Sequence, residues 1–299
     1  NFKMGMLSRA VKVAVPVGAG LVAYSCREDI ANDGLTAPFR KLNAFVSKAS
    51  ASYTNFSSAF DRAFPRGTWD ANWDFRDPTS LINAKKFAEA SPEDRKKMLK
   101  EVTPTASRTL VLIRHGQYDL ENEPHPLTEL GREQAVLVGK RLAALHEKMP
   151  IDNVIMSTMT RATETATIIL KQLPSSIPSR SDSIIEEGAP YPPEPPVGHW
   201  RPHAKKFFSE GARIEAAFRK YFYRASFKQS ADSVEVLVCH ANVIRYFICR
   251  AMQFPPEGWL RMSLGNSSIT VLVIRPDGRV SIRSVGDVGH LPPAKITFT

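Results

Sequence analysis

Thr109-Leu110-Val111-Leu112-Ile113-Arg114-His115-Gly116 is the stretch on which the fold turns. Four β-prone apolar residues run into an arginine, a histidine and a glycine, which predicts a buried strand delivering its polar end to a loop. Downstream, strands and helices alternate. Residues 129–148 carry apolar side chains at helical spacing, 152–156 form a second short apolar run, and 160–173 a second helix. Residues 204–227 predict a third, with Phe207, Phe208, Ile214, Ala217, Phe218 and Tyr221 on one broad face. A strongly apolar strand over 234–239 leads into a helix over 242–253. Residues 268–274 and 280–285 predict a hairpin around Pro276-Asp277-Gly278. This order predicts an α/β fold of three layers, a mostly parallel central sheet with helices on both faces, closed by an antiparallel element. Ligands of such sheets bind beyond the carboxyl ends of the strands.

Three strand ends carry polar groups of one kind: Arg114-His115-Gly116, Thr158-Met159-Thr160-Arg161 at a helix start, and His240-Ala241-Asn242 at another. Two imidazoles and two guanidiniums near helix N-termini suit an oxyanion with two or more negative charges. Free N–H groups and the dipole favour the anion, and arginine forks match phosphate. A catalytic metal is not expected, because arginine beside the histidines opposes a cation and no acidic ligand accompanies them. No cofactor is implied.

The whole chain has 299 residues, 40 Lys+Arg against 30 Asp+Glu, and three cysteines. These values exclude wholesale disorder, a multi-span membrane protein and a disulfide framework. Cys239 and Cys249 sit in apolar runs and read as small buried hydrophobes; Cys26 has no paired spacing. No zinc-finger spacing or RNA-binding aromatic motif supports a nucleic-acid partner. Basic charge is densest in residues 1–66, with nine Lys/Arg against four Asp/Glu. Residues 13–26 are uncharged, flanked by Arg9, Lys12 and Arg27, and predict a membrane-anchoring or targeting helix despite their length. The expected organisation is an anchor over 1–30, a linker over 31–106 and a catalytic domain over 107–299. Within the linker, Trp69-Asp70-Ala71-Asn72-Trp73-Asp74 places two of four tryptophans in a polar stretch, so they need a partner surface, on this domain or on another chain.

Leu112-Ile113-Arg114-His115-Gly116, the 127–135 segment LTELGREQA and Ser157-x-x-x-Arg161-Ala162-x-x-Thr165-Ala166 resemble the signature elements of the histidine phosphatase superfamily, the phosphoglycerate mutase-like proteins. Residues 69–74, 187–190, 211–219, 239–246 and 253–261 resemble more closely a mitochondrial branch of it that dephosphorylates protein Ser/Thr. The resemblance implies that His115 is a nucleophile transiently phosphorylated and that Arg114, Arg161 and His240 hold the phosphate. It makes Glu187, rather than its neighbour Glu186, the acid that protonates the leaving group. Gly116 fits close backbone approach to the phosphate, and Asn242 is either a pocket residue or a helix cap. By the same resemblance Trp69, Asp70, Asn72, Trp73 and Asp74 form a multimerisation motif that docks on a neighbouring dimer and raises activity, and residues 13–26 anchor the chain in a mitochondrial membrane. The implied partners are phosphoproteins carrying phospho-Ser/Thr, with phosphohistidine as a further substrate, and other copies of the chain. Residues 83–92 depart from the segment that binds a Kelch-type adaptor in some members, so that partner is not implied. A phosphoglycerate mutase would share the pocket, but the stretch 190–200 lacks the Lys or Arg that would clamp a small carboxylate. A scaffold with a vestigial site is the third reading, disfavoured by the intact set of polar groups.

Overall fold

The structure, a computed structural model, describes residues 67–198 and 200–298 and the backbone of 11–17 and 20–26. The chain divides into two compact units, residues 1–68 and 69–299. In the first, β1 (Val11–Val17) and β2 (Gly20–Cys26) pair antiparallel. The backbone there is a hairpin, not the helix expected over 13–26. Among the described residues no helix is long and apolar enough to cross a membrane. The rest of the anchor expected over 1–30 and the linker over 31–66 lie outside the described residues.

The second unit is built on a six-stranded sheet. Its strands are β3 (Arg108–Arg114), β4 (Asn153–Met156), β5 (Ser179–Ser181), β6 (Ser233–Cys239), β7 (Ile269–Ile274) and β8 (Val280–Asp287), in the order β5-β4-β6-β3-β7-β8. β5, β4, β6 and β3 run parallel; β7 is antiparallel to β3, and β8 to β7. Alternation along β3 explains the layers. Leu110 and Leu112 enter one core with Leu237 and Leu272, whereas Val111 and Ile113 enter the other with Val236 and Val238. Helices α5 (Ala204–Tyr221) and α6 (Ala241–Ala251) cover the first face through Ile214, Phe218, Ile244 and Phe247. Helices α3 (Glu129–His146) and α4 (Thr160–Leu170) cover the second through Val138, Leu142, Ala166 and Ile169.

Residues 69–106 are more than a linker. Two helices, α1 (Ala84–Glu89) and α2 (Pro92–Val102), start at Asn83 and Ser91, whose side chains accept from the N–H groups of Lys86 and Asp94. Neither buries a residue, which is why no apolar periodicity marks them. Residues 69–74 lie on their own domain. Trp73 is buried against Phe218 and donates Nε1–H to the carbonyl of Gly278 at 2.8 Å. Asp74 and Arg224 form an ion pair at 2.8 Å with both side chains fully buried. Burial alone would raise the Asp74 pKa, but the hydrogen bonds and charge of Arg224 hold it below the ordinary range. Gly278, with φ +82°, leaves room for that guanidinium, since a Cβ there would come within 2.4 Å of Arg224 Nη2.

Asp74 and Arg108 together explain why α5 stops at Tyr221 rather than 227. Arg108 Nη1 takes the carbonyls of Tyr221 and Tyr223 at 3.0 and 2.7 Å, and Asp74 takes the N–H of Arg224 at 2.8 Å. The helix loses its next bonds to better-charged partners. Trp73→Ala and Asp74→Ala should each cost about 3–5 kcal/mol, the first by opening a core cavity, the second by leaving a guanidinium buried and unpaired. Denaturant melts of the two variants read this directly. A loss below about 1 kcal/mol would mean that the segment is not part of this core.

Candidate active site

The carboxyl ends of three adjacent parallel strands, β3, β6 and β4, converge on one point. β3 delivers Arg114 and His115, β6 ends at Cys239 with His240 next, and β4 is followed by Ser157 and, at the start of α4, Arg161. Helices α4 and α6 both begin here, after Met159 and His240, and neither N-terminus has a side-chain cap. Both helix N-termini, with their positive dipole ends, therefore lie at the place where His115, Arg114, Arg161 and His240 meet, with the Asn242 N–H already given to Glu187. All four are buried: His240 is 0% exposed, His115 2%, and each arginine 6%.

The hydrogen bonds fix the protons. Nδ1 of His115 lies 2.8 Å from the carbonyl of Gly116, which can only accept, so Nδ1 carries the hydrogen. Nε2 therefore holds the lone pair, and Arg161 Nε–H donates to it at 3.2 Å. Burial, with Arg114 and Arg161 adding to it, pushes the His115 pKa well below 6.5, so the ring is neutral near pH 7. His240 is held neutral in the same way, first by burial, then by His115 and the arginines. Its Nε2 sits 2.8 Å from the Ser157 hydroxyl, and its buried Nδ1 has no partner among the described residues. Ser157 accepts the N–H of Met159 at 3.3 Å and can give its own proton to Nε2, leaving Nδ1–H for the pocket. Arg114 donates to the Leu264 carbonyl at 2.6 Å, and burial lowers its pKa to about 10, so it stays a cation.

The two glutamates after β5 separate by their contacts. Glu186 accepts the Thr158 hydroxyl. Glu187, half-buried, accepts the N–H of Gly188 at 3.1 Å and of Asn242 at 3.5 Å. The packing around its carboxyl raises its pKa above 4.5, against those N–H groups and the charges of Arg161 and Arg114. It faces the two arginines while keeping affinity for a proton.

Two expectations change. Gly116 does not offer its N–H to a ligand, because that N–H donates to Thr165 Oγ1 at 3.0 Å. The glycine is needed on its other side, where a Cβ would stand 2.5 Å from the Gly131 carbonyl at the start of α3. Asn242 is not the helix cap, a position held by His240; it donates Nδ2–H to the Gly188 carbonyl at 3.1 Å and ties α6 to the loop that carries Glu187.

Thr165, read in the sequence only as part of the 157–166 element, anchors Gly116, and two further contributors escaped the sequence reading. Tyr118 sets its ring edge against His115, with centroids 5.1 Å apart, and lies under the Arg161 guanidinium at 4.7 Å. Arg245, one turn into α6, donates to Asn242 Oδ1 at 3.2 Å and adds its charge beside Glu187. Only its place in the Cys239–Tyr246 block, on the same helix face as Asn242, hinted at it. Among the described residues no group of three or more His, Cys, Asp or Glu is placed to hold a metal.

The profile of the histidine phosphatase superfamily (branch 1) matches residues 110–188 and 195–287. A Caenorhabditis briggsae protein named serine/threonine-protein phosphatase Pgam5, mitochondrial, is 56% identical over 294 residues, 98% of this chain and 100% of that one. Its Caenorhabditis elegans counterpart is 54% identical over 295 residues, again 98% and 100%. The human protein of that name is 52% identical over 235 residues, 77% of this chain and 80% of its own. With its sheet order and its convergent histidines and arginines, the chain belongs to the histidine phosphatase superfamily, in branch 1, beside the Pgam5 phosphatases.

Proposed function

We propose that the chain is a metal-independent protein phosphatase that hydrolyses phospho-Ser/Thr through a phosphohistidine at His115. The observation that carries this is the tautomer: Nδ1 is pinned by a carbonyl, and Nε2 presents its lone pair between two arginines and two uncapped helix ends. A neutral imidazole needs no separate base to attack phosphorus. At rest the Arg161 Nε–H occupies that lone pair. A phosphate dianion attracts the guanidinium more strongly than a neutral ring does, so substrate frees the nucleophile as it binds. As Nε2–P forms and P–O breaks, Arg114, Arg161 and the Nδ1–H of His240 hold the non-bridging oxygens. Glu187 gives its proton to the leaving alkoxide. It then takes one from water, which attacks phosphorus and releases phosphate from Nε2.

Protein-bound phosphate as substrate rests on the names of the relatives and on the absence of a carboxylate clamp in 190–200. The same names support a mitochondrial setting, and the flanked apolar run 13–26 supports membrane attachment. Activation by multimerisation rests on residues 69–74. Trp73 and Asp74 are committed to their own domain, while Trp69 stays 36% exposed, and Phe75 and Phe254, which line one pocket with Trp73, are exposed as well, apolar surface that a second copy would cover.

Phosphate release by the full chain from a phosphothreonine peptide, compared with 3-phosphoglycerate, tests the reading. Peptide turnover should exceed phosphoglycerate turnover by at least about tenfold. Activity confined to the small phosphate would make the chain a small-molecule phosphatase or mutase, and silence on both would leave a scaffold.

A further inference from the structure

We infer that Arg213, with Glu210, is the positioning residue for the acid loop and so sets how well the enzyme expels poor leaving groups. The inference rests on the assignment of Glu187 as the acid. Arg213 lies on α5, the helix that otherwise covers the sheet. Its Nη1 donates to the carbonyls of Ile184 and Glu186 at 3.0 and 2.7 Å, and its Nη2 to the carbonyl of Glu187 at 3.0 Å. One turn earlier, Glu210 Oε2 accepts the N–H of Ala189 at 2.7 Å.

A cation thus collects the carbonyls before the loop's turn, and an anion collects the N–H after it. The backbone of 184–189 is gripped from both ends by side chains three residues apart on one helix face. Gly188 is where the loop passes under this grip. A Cβ there would stand 2.9 Å from Arg213 Nη2 and 3.1 Å from Glu210 Oε2. The loop leaves a three-residue, exposed edge strand, β5, through a single helical turn, Ser183–Ile185. Ile185 is buried in the core, Thr158 holds the Glu186 carboxylate and Asn242 the Gly188 carbonyl, but among these hydrogen bonds only Arg213 takes the carbonyl of Glu187 itself.

The clamp's chemistry is specific to guanidinium. Three carbonyls spread along four residues are met by one planar fork with its direction fixed, a pattern an ammonium reproduces only in part. Displacing the Glu187 backbone by an ångström would leave the phosphate grip of His115, Arg114, Arg161 and His240 intact, because none of these is held by Arg213. It would misplace the proton donor alone. Proton donation matters in proportion to the basicity of the leaving oxygen. A threonine alkoxide must be protonated as P–O breaks, whereas 4-nitrophenolate leaves as the anion.

Arg213→Lys should therefore slow the first phosphoryl transfer from a phosphothreonine peptide by about ten- to thirtyfold. It should slow the burst of 4-nitrophenol from 4-nitrophenyl phosphate by no more than about threefold. Measuring the first turnover keeps the later attack of water out of both numbers. Glu187→Gln is the reference and should show the same asymmetry more strongly, by about 10²-fold or more on the peptide. Melting curves establish that each variant is folded; if Arg213→Lys is not, Glu210→Ala, which releases the other end of the loop, replaces it with the same expected asymmetry. Equal slowing of both substrates by the clamp variant, or no slowing, overturns the inference while Glu187→Gln retains its asymmetry. If Glu187→Gln itself slows both substrates equally, the acid assignment falls and the inference with it.

Discussion

His115→Ala should abolish hydrolysis of the phosphothreonine peptide, lowering kcat by on the order of 10⁴–10⁶, the range seen when an enzyme loses its covalent nucleophile. The loss is this large because nothing else near the phosphate can replace it. His240 sits with its ring 5.2 Å from His115, but its Nε2 is engaged with the Ser157 hydroxyl at 2.8 Å, and in the proposed mechanism the ring holds a phosphate oxygen rather than attacking phosphorus. The Cys239 thiol, fully buried beneath the strand end, is pushed up by burial far beyond the neutral range and is no thiolate. The pH profile belongs to the same prediction. In the proposed mechanism His115 acts as the neutral ring, so its protonation should end activity on the acid side, and because burial depresses its pKa that limb should lie well below pH 6.5. Glu187 acts there as the acid, so its ionisation should end activity on the alkaline side, and its raised pKa should move that limb upward from 4.5. Steady-state kinetics of the variant, with a melting curve to show that the fold survives, check the first claim. A residual rate within tenfold of the parent would remove His115 from the chemistry.

Arg161→Ala is expected to lower kcat/KM for the peptide by about 10²–10³-fold, with kcat carrying most of the loss. Arg161 touches every part of the account: Nε meets the nucleophile, the guanidinium lies on Tyr118, and its charge opposes protonation of His115 and ionises Glu187 more readily. Removing it takes one transition-state cation away and leaves two neighbours differently charged. Arg161→Lys should recover part of the loss, staying about tenfold or more below the parent, because a point charge cannot span two phosphate oxygens. Full activity in the lysine variant would show that only charge, and not the fork, is used.

Much of this was legible in the residues. The apolar run of 109–113 stated both faces of the sheet at once, because a strand buried on both sides needs no alternation. The polar groups at three strand ends stated the site, because a parallel sheet brings its carboxyl ends to one edge. Harder to read were features whose cause lies far away in the chain. Helix α5 ends at Tyr221 because Arg108 and Asp74, more than a hundred residues distant, claim its next backbone groups. The polar neighbours of Trp73 leave open whether its partner surface lies on this domain or on another chain, because the pocket it fills is made by Phe218 and Gly278, far away in the sequence. Gly116 looks like a phosphate-loop glycine until Gly131 is seen against it. Helices α1 and α2 bury nothing, so no apolar period marks them and residues 31–106 read as a linker.

The most direct test of the account is to quench the enzyme during turnover of a phosphothreonine peptide and map the covalent phosphate by mass spectrometry, with its acid and alkali stability. The account predicts one phosphoryl group on His115, lost in acid and stable in alkali, absent from His115→Ala, and formed in the presence of a metal chelator. Phosphate on another residue, or turnover with no covalent phosphoenzyme at any quench time, would contradict it.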